Sequence, residues 1–173
     1  MAILPDYLAP GLRVVFCGTA VSTTSAGRGH DYAGPGNEFW PFLHQSGLTP
    51  VPLTPDDDAR VLNFGLGLTD LVKEIAASSD AGLGSHYDAE GLVEKIERFT
   101  PAWLAFHGKT AGRVATKALG HGSAVSLGQQ GWSIGSTRVF VLPSASAANR
   151  DPKRLEGRAS RLDWFRDLAT LAS

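Results

Sequence analysis

The fold is decided by "LRVVFCG" (residues 12–18), an apolar run that leads directly into "TAVSTTSAGRGHDYAGPGNEFW" (residues 19–40). A continuous apolar run of this length is typical of a strand that is buried on both faces of a parallel sheet. The stretch after it is rich in small, hydroxylated and glycine residues, which predicts that a ligand approaches the backbone closely. In α/β proteins, ligands bind at the carboxyl ends of the strands, which is where this stretch lies.

Four further runs have strand character: "RVLNFGLGLT" (60–69), "AWLAFHG" (102–108), "GWSIG" (131–135) and "RVFVLP" (138–143). We expect the last two to pair through a turn at Gly135-Ser136. Helical signals alternate with these runs, at 36–47, 88–99, 109–119 and 151–172. The segments expected to be loops are 70–87 and 120–130. The alternation predicts one α/β domain over residues 1–173, a three-layer α/β/α sandwich with a central mostly parallel sheet of four or five strands.

The composition excludes several kinds of site. The single cysteine, Cys17, rules out internal disulfides and an iron–sulfur cluster held by four thiolates. Five histidines lack the spacing of metal ligands, so neither a metal nor another cofactor is expected. No apolar run is long enough to span a membrane, and the first residues lack the pattern of a signal peptide. We therefore expect a monomeric cytoplasmic protein with no membrane partner.

Charge is distributed unevenly along the chain, although the formal net charge is only -1. Residues 1–100 contain 6 Lys and Arg against 13 Asp and Glu, whereas residues 101–173 contain 10 against 4. Much of the positive charge lies in "NRDPKRLEGRASRLDWFR" (149–166). Such a segment is either a solvated helix face or a surface that contacts phosphates, and the charge alone leaves both open.

Two common phosphate-binding motifs fail because a required glycine is missing. "HGKT" (107–110) would need a glycine at Trp103, and "GRGHDY" (27–32) has Tyr32 in place of the third glycine. The G-x-S-x-G motif of α/β hydrolases is absent as well. No sequence motif therefore indicates a nucleotide cofactor or a serine nucleophile.

Five segments in order along residues 12–150 resemble the mismatch-specific uracil-DNA and thymine-DNA glycosylase family. The first segment spans residues 18–40, where "GTAVS" (18–22) matches the family's Gly-Ile-Asn-Pro-Gly, and Tyr32 and "GPGNEFW" (34–40) match its later aromatic and Phe-Trp positions. The other matching segments are "GLTDLV" (67–72), "LVEKIERFTP" (92–101), "FHGKTA" (106–111) and "LPSASA" (142–147). The resemblance implies a domain that binds double-stranded DNA, flips out a mispaired or damaged pyrimidine and hydrolyses its N-glycosidic bond without a cofactor.

The resemblance places a base pocket in the first loop, defined as residues 18–37. Its residues would be Gly18, Thr19, Ala20, Ser25, Tyr32 and Asn37. Tyr32 would stack on the extruded base and Asn37 would start the next helix; a core-edge aromatic is the alternative for Tyr32. A pocket that reads a flat pyrimidine through backbone amides needs small neighbours, which would explain the small residues Ser22, Ala26, Gly27 and Gly29.

A second loop would fill the space that the base leaves and would hold phosphates. By resemblance this wedge loop consists of Ser144, Ser146, Ala147, Ala148, Asn149 and Arg150. Arg150 is the expected phosphate or groove contact, supported by Lys153 and Arg154. This assignment would account for the positive charge of residues 149–166.

One functional residue of the family is missing. In the family, the asparagine of the Gly-Ile-Asn-Pro-Gly motif positions the attacking water. Ala20 occupies the corresponding position in this sequence. A carboxylate at a strand end could replace it, because a carboxylate can accept a proton from water and stabilise a cationic sugar. Asp70 is the first candidate, with a helix cap as its alternative, and Asp88 is the second. Asp80 is a further carboxylate near a strand end. We expect Asp31 to form hydrogen bonds within its loop and His107 to be a core histidine whose ring is hydrogen-bonded within the protein.

The sequence thus predicts a monofunctional DNA glycosylase that removes uracil from G·U mispairs, with thymine or damaged pyrimidines as further substrates. It would act inside the cell, on the nucleoid if the source is bacterial. A Schiff base through Lys73 or Lys109 is not expected, because the family acts through water. Two alternatives stay open. One is a catalytically weak mismatch- or lesion-binding protein that lost its activity through Ala20, and the other is an enzyme acting on a small nucleoside.

Overall fold

The computed structural model describes residues 2–173, which contain one five-stranded sheet. Its strands are β1 (Val14–Ala20), β2 (Leu66–Val72), β3 (Trp103–His107), β4 (Gly128–Ile134) and β5 (Thr137–Leu142). Their order is β2-β1-β3-β5-β4, and all neighbours are parallel except β4 and β5. The predicted α/β fold with a mostly parallel sheet is confirmed, as is the hairpin through Gly135-Ser136.

Helices flank this sheet. The α-helices are α1 (Thr23–Arg28), α2 (Phe39–Gln45), α3 (Ala89–Phe99), α4 (Lys109–Ala118) and α5 (Arg161–Leu171). Two 3₁₀ helices span Pro55–Phe64 and Pro152–Leu155. No helix within residues 2–173 has both the length and the apolar character needed to cross a membrane.

The core has two parts, one on each face of the sheet. On one face, α2 and α5 pack aromatic side chains such as Phe39 and Phe165 against the strand residues Phe16 and Phe140. On the other face, apolar residues of α3 and α4 pack against strand residues that point the opposite way, among them Val15. Because both faces are covered, the parallel strands are apolar on both sides, as their continuous runs predict.

The prediction of a strand at 60–69 was wrong for the first half of that range. Residues up to Phe64 belong to the 3₁₀ helix, which ends at Gly65 in the left-handed conformation (φ 74°). The strand then begins at Leu66 and continues to Val72, three residues further than predicted. As a result, Asp70 lies inside β2 instead of in the loop after it.

Two other predictions were wrong in extent. The helix expected at 151–172 is interrupted by Glu156 (φ 50°) and Gly157 (φ 86°), and α5 begins afresh after the capping residue Ser160. The strand expected at 131–135 begins earlier, at Gly128, and ends at Ile134. The first loop contains a helix that was not predicted, α1, whose amino end is capped by Ser22 and whose carboxyl end is closed by Gly29 (φ 76°). Serine before and glycine after a short segment are helix-end signals that this stretch does carry.

The outer edge of β2 is covered by the amino-terminal segment. The backbones of Tyr7 and Leu68 exchange two hydrogen bonds of 2.9 Å, and the Ile3 amide donates to the Lys73 carbonyl at 2.7 Å. An uncovered strand edge is open to pairing with other chains, and this segment closes one side of the sheet.

Candidate active site

Four parallel strands end at the same edge of the sheet, where their following loops surround a cavity of about 710 Å³. The walls come from the ends of β1, β2, β3 and β5 and from the first loop and the wedge loop. A volume of this size is within the usual range for a small-molecule or nucleoside pocket. The topology therefore brings residues distant in sequence into one concave site.

Gly18, near the end of β1, is enclosed by two polar side chains. It lies opposite Asp70 of β2 in the parallel register. A Cβ atom on Gly18 would stand 2.8 Å from Asp70 Oδ1 and 3.3 Å from the Tyr32 hydroxyl. A distance below 3.0 Å to a packed atom is not tolerated, so glycine at this position is what allows Asp70 and Tyr32 to approach the same point.

Asp70 is buried, with 8% of its surface exposed, and lines the cavity. Its Oδ2 lies 3.5 Å from Lys73 Nζ, which also pairs with Asp6 at 2.9 Å, and Asp6 in turn pairs with Lys95 at 2.7 Å. Burial raises the pKa of Asp70, while the charge of Lys73 opposes that shift. Lys73 therefore favours the ionised form of a carboxyl that burial alone would keep protonated.

Tyr32 is held rigidly in the cavity wall. Its ring stacks on Phe39 with centroids 3.9 Å apart and an interplanar angle of 23°, and it meets the His107 ring edge-on at 4.7 Å. Its backbone has φ 51°, a left-handed conformation that costs a non-glycine residue about 1–3 kcal/mol. Since Phe39 covers one ring face, the opposite face is the one that a flat ligand could stack on.

Asp31 lies beside Tyr32, is only 5% exposed and also lines the cavity. Its backbone amide donates to Asp58 Oδ2 at 3.1 Å, and its carbonyl accepts from Trp40 Nε1 at 3.0 Å. Its side-chain Oδ2, however, is buried without a hydrogen-bond partner among residues 2–173. The loop bonding expected of Asp31 is thus made by its backbone, and the carboxyl is unused. Burial and the charge of Asp70 raise the pKa of Asp31 to about 7.

His107 ends β3 and lines the cavity. Its Nε2 accepts a hydrogen bond from the Ala145 amide at 2.9 Å. Burial, with a contribution from Arg161, lowers the pKa of His107 to about 3, so the ring is neutral. A neutral imidazole that accepts at Nε2 carries its proton on Nδ1. The histidine is therefore satisfied at one nitrogen, as expected, and is a donor at the other.

The remaining first-loop residues divide into two groups. Thr19, Ala20, Ser25 and Asn37 line the cavity; Thr19 donates to Asp80 at 2.7 Å, and Asn37 accepts from the Phe39 amide at 2.9 Å. Ser22 lines it too. Three further small residues do not, namely Ala26, Gly27 and Gly29. An added Cβ on either glycine would meet nothing within 4 Å, so the expectation that a ligand keeps them small was wrong. They belong to α1 and its carboxyl cap.

The wedge loop forms the opposite wall. Ser144, Ser146, Ala148 and Asn149 line the cavity, whereas Ala147 and Arg150 lie exposed at its rim. Arg150 donates to the Ala147 carbonyl at 3.0 Å and to the Gly36 carbonyl at 3.5 Å, which ties the wedge loop to the first loop. Lys153 and Arg154 also border the cavity, so its rim is basic.

Arg161, the first residue of α5, supports this loop from below, and sequence reasoning missed it. Its guanidinium donates to the Ser144 carbonyl at 3.0 Å and to the Ser146 carbonyl at 2.8 Å, and it pairs with Glu38. Only 8% of Arg161 is exposed. The sequence carried no signal for these contacts, because both partners on the loop are backbone carbonyls.

Asp88, the second catalytic candidate, is separated from this site. It is exposed, and its side chain caps α3 by accepting from the Gly91 amide at 2.9 Å. It is not among the residues that line the cavity. No cluster of three or more His, Cys, Asp or Glu side chains within residues 2–173 is arranged to hold a metal ion.

The fold and the site can be compared with known proteins. A protein of Methanosarcina acetivorans, provisionally assigned as a uracil DNA glycosylase and solved in solution by NMR, superposes with a TM-score of 0.55. The match covers 96% of each chain at 20% sequence identity, which shows a shared fold. The sequence profile of the uracil DNA glycosylase superfamily matches residues 5–169, which include every strand, the cavity and most of α5. The chain therefore belongs to the uracil DNA glycosylase superfamily.

Proposed function

We propose that this protein is a monofunctional DNA glycosylase that hydrolyses the N-glycosidic bond of uracil in G·U mispairs of double-stranded DNA. Thymine in G·T mispairs and damaged pyrimidines are its further proposed substrates. The observation that carries the proposal is the buried carboxyl of Asp70, which lies in a cavity of nucleoside size beneath a basic rim. Superfamily membership supports DNA as the substrate.

The shape of the site suits an extruded base. An enzyme that acts on a base in a duplex must take the nucleotide out of the stack and enclose it. Tyr32 offers one free ring face for stacking, and Phe39 fixes that ring from behind. The neutral His107 offers a donor from the cavity wall to a carbonyl oxygen of the base. Mispaired bases cost less to extrude, which is the proposed source of selectivity for mispairs.

We propose that Asp70 activates the water. In the family an asparagine positions the water, and Ala20 stands at that position in this chain. Breaking the glycosidic bond leaves positive charge on the sugar and negative charge on the base. An ionised Asp70 attracts the sugar cation and accepts a proton from the attacking water. Lys73 favours this ionised form, because it faces Asp70 Oδ2 at 3.5 Å.

The two lysines near the site support hydrolysis through water instead of through a Schiff base. Lys73 is paired with Asp6 and Asp70, and Lys109 is paired with Glu156 at 2.9 Å. A lysine nucleophile must lose its proton, and the acidic partners of Lys73 hold the proton on that side chain. Burial alone would lower the pKa of Lys73, but its acidic neighbours raise it instead.

The basic rim is the proposed contact with the DNA backbone. Arg150, Lys153 and Arg154 are exposed beside the cavity mouth, where phosphates on either side of a flipped nucleotide would lie. The small exposed side chains of Ala147 and Ala148 can enter the base stack without a clash. The wedge loop would then contact the orphaned guanine.

Single-turnover excision of uracil from a G·U duplex tests the proposal, with DNA binding measured in parallel. We expect the wild type to release uracil and Asp70→Asn to lose about 10²- to 10⁴-fold in rate with its DNA affinity kept. Asp88→Asn is the matched control, because it changes an exposed carboxyl outside the cavity and should retain the wild-type rate. Tight binding without base release by the wild type would instead identify a mismatch-binding protein. Full activity in Asp70→Asn would remove Asp70 from the mechanism.

A further inference from the structure

The mechanism above leaves the second acidic side chain of the cavity without a role. Asp31 is buried, as Asp70 is, and its Oδ2 has no hydrogen-bond partner among residues 2–173. Buried polar atoms in folded proteins are nearly always paired, so an orphaned one calls for an explanation. A carboxyl that lines a cavity and has nothing to bind within the protein is free to bind what enters the cavity.

The charged groups around Asp31 come from several elements and are mostly acidic. Asp70 of β2, Asp58 of the 3₁₀ helix and Asp6 of the amino-terminal segment all raise the pKa of Asp31, and Lys73 opposes them. His30, its neighbour, is oriented toward Asp56 and Asp58.

The two carboxyls of the cavity are therefore unequal. Asp70 has the ammonium of Lys73 facing it at 3.5 Å, whereas no cation within residues 2–173 forms an ion pair with Asp31. The Lys73 ammonium favours the ionised form of Asp70, and the charge of Asp70 raises the pKa of Asp31. Environments that separate the protonation of two neighbouring carboxyls assign one the role of base and the other the role of acid.

We infer that Asp31 is a second catalytic residue, the acid that protonates the departing pyrimidine while Asp70 directs the water. This inference rests on the proposed function and adds a step to it. It assigns Asp31 direct contact with a carbonyl oxygen of the base. The buried position, the cavity lining and the unpaired oxygen of Asp31 are the structural observations behind it.

The bond between C1′ and N1 breaks, its electron pair enters the pyrimidine ring, and the Asp31 proton passes to a ring carbonyl oxygen. The water oxygen bonds to C1′, and the water proton passes to Asp70. Asp31 ends as a carboxylate and Asp70 as an acid, and exchange with solvent restores both. The base leaves as a neutral enol, which returns to its keto form in solution.

A proton donor at Asp31 gives the reaction a characteristic pH dependence. Excision should rise with pH as Asp70 ionises and fall again as Asp31 loses its proton near pH 7, since burial and acidic neighbours raise the pKa of Asp31 to about 7. Because Asp31 and Asp70 interact, the apparent pKa values of the rising and falling limbs of the pH profile belong to the pair and not to either residue alone. If Asp31 had only a structural role, the loss of its proton would not lower the excision rate as the pH rises.

The experiment measures single-turnover excision between pH 5 and 9 from duplexes that carry uracil or 5-fluorouracil opposite guanine. The second base is a better leaving group, so it needs less protonation. For Asp31→Asn we expect about a 10²-fold loss with uracil at pH 6, a loss at least tenfold smaller with 5-fluorouracil, and no falling limb near pH 7. Asp58→Asn should keep the falling limb and move it to lower pH, because one acidic neighbour of Asp31 is removed.

Asp88→Asn is again the control and should reproduce the wild-type profile. Equal losses of Asp31→Asn on both bases, or a falling limb that persists in that variant, would overturn the role of Asp31 while leaving the glycosylase itself intact. A wild type that releases neither base would overturn the proposed function, and the role of Asp31 with it. The two failures are therefore distinguishable.

Discussion

At the scale of the residue, the centre of the site is the backbone of Gly18. The absence of a side chain there lets Asp70 and Tyr32 converge on one point of the cavity. The adjacent Ala20 lies in the same strand and lines the same cavity, but has no polar atom to offer. A polar function lost from β1 is thus available from β2, its neighbour in the sheet.

Gly18→Ala should disrupt the site, because the new Cβ would stand 2.8 Å from Asp70 Oδ1. We expect about 1–3 kcal/mol lower free energy of unfolding and a large loss of base excision. Gly27→Ala is the matched control. Its Cβ would meet nothing within 4 Å, and in α1 it should stabilise by about 0.5–1 kcal/mol. Denaturant unfolding of both variants measures this, and equal effects would contradict the contact.

Asp31→Asn should make the protein more stable at alkaline pH. The raised pKa means that the native state holds the Asp31 proton more tightly than the unfolded chain does. The wild type therefore loses stability as pH rises from the ordinary carboxyl pKa of 3.8 to about 7, and the variant does not. The difference in free energy of unfolding should be small at pH 4 and about 4 kcal/mol at pH 8, because each unit of pKa difference corresponds to about 1.4 kcal/mol. Denaturant midpoints at the two pH values measure it, and no difference at pH 8 would contradict it.

The sequence located part of the site and missed part for physical reasons. Asp70 could be predicted because residues near the carboxyl end of a parallel strand face the ligand edge. The unpaired side chain of Asp31 could not be predicted, since it follows from burial and from contacts within residues 2–173 that only the structure shows. The placement of Asp88 at a helix end was visible, but only the structure shows that its side chain does not line the cavity.

At the scale of the element, the wedge loop is a preorganised surface. Its backbone is bound by His107 of β3, by Arg161 of α5 and by the Glu38 amide, which donates to the Ala145 carbonyl at 2.9 Å. Three separate elements thus fix one loop. A loop fixed before it meets DNA loses less conformational entropy on binding.

Arg161→Met should loosen that loop. The substitution removes the guanidinium donor from the carbonyls of Ser144 and Ser146, which then keep only Asn149 as a donor among residues 2–173, and it leaves Glu38 without its cation. We expect a loss of about 2–4 kcal/mol in stability and weaker binding to mispaired DNA. Arg166→Met on the exposed side of the same helix removes only a surface ion pair of 3.6 Å with Asp163 and should change stability by less than about 1 kcal/mol. Thermal unfolding and DNA-binding titrations compare the two variants. Similar losses of stability and affinity in both would argue against a role of Arg161 in fixing the wedge loop.

The break before α5 explains why this support could not be foreseen. A continuous helix over 151–172 places Arg161 in mid-helix, among other solvated charges. In the structure the chain turns at Glu156 and Gly157, so Arg161 starts a new helix and points beneath the wedge loop. Periodicity alone did not reveal the turn, since Glu156 adopts a left-handed conformation that is uncommon for glutamate.

At the scale of the whole molecule, the acidic and the basic halves of the sequence contribute opposite charges to one cavity. Acidic groups such as Asp31 and Asp70 lie inside the cavity, while Arg150, Lys153 and Arg154 lie at its mouth. The mouth suits the phosphates of a strand passing over it, and the interior suits a sugar that becomes cationic. A near-neutral protein can thus present a local basic surface.

Replacing Lys153 and Arg154 by glutamine should reduce the salt dependence of DNA binding. Each phosphate contact contributes a slope of about 0.9 in the logarithm of affinity against the logarithm of salt concentration, so the double variant should lose up to about 1.8. Lys117→Gln, in the last turn of α4 away from the cavity edge, is the control and should keep the wild-type slope. Binding titrations between 50 and 200 mM salt measure the slopes. An unchanged slope in the double variant would exclude this rim from phosphate contact.

The amino-terminal segment that closes the edge of β2 also completes the electrostatics of the site. Asp6, on that segment, holds Lys73 and Lys95, and Lys73 in turn faces Asp70. During synthesis these first residues emerge well before β2 and α3 exist, and they can dock only after both have formed. A chain whose amino-terminal segment has not docked on β2 would therefore lack both Asp6 pairs, and Lys73 would face Asp70 without its second acidic partner.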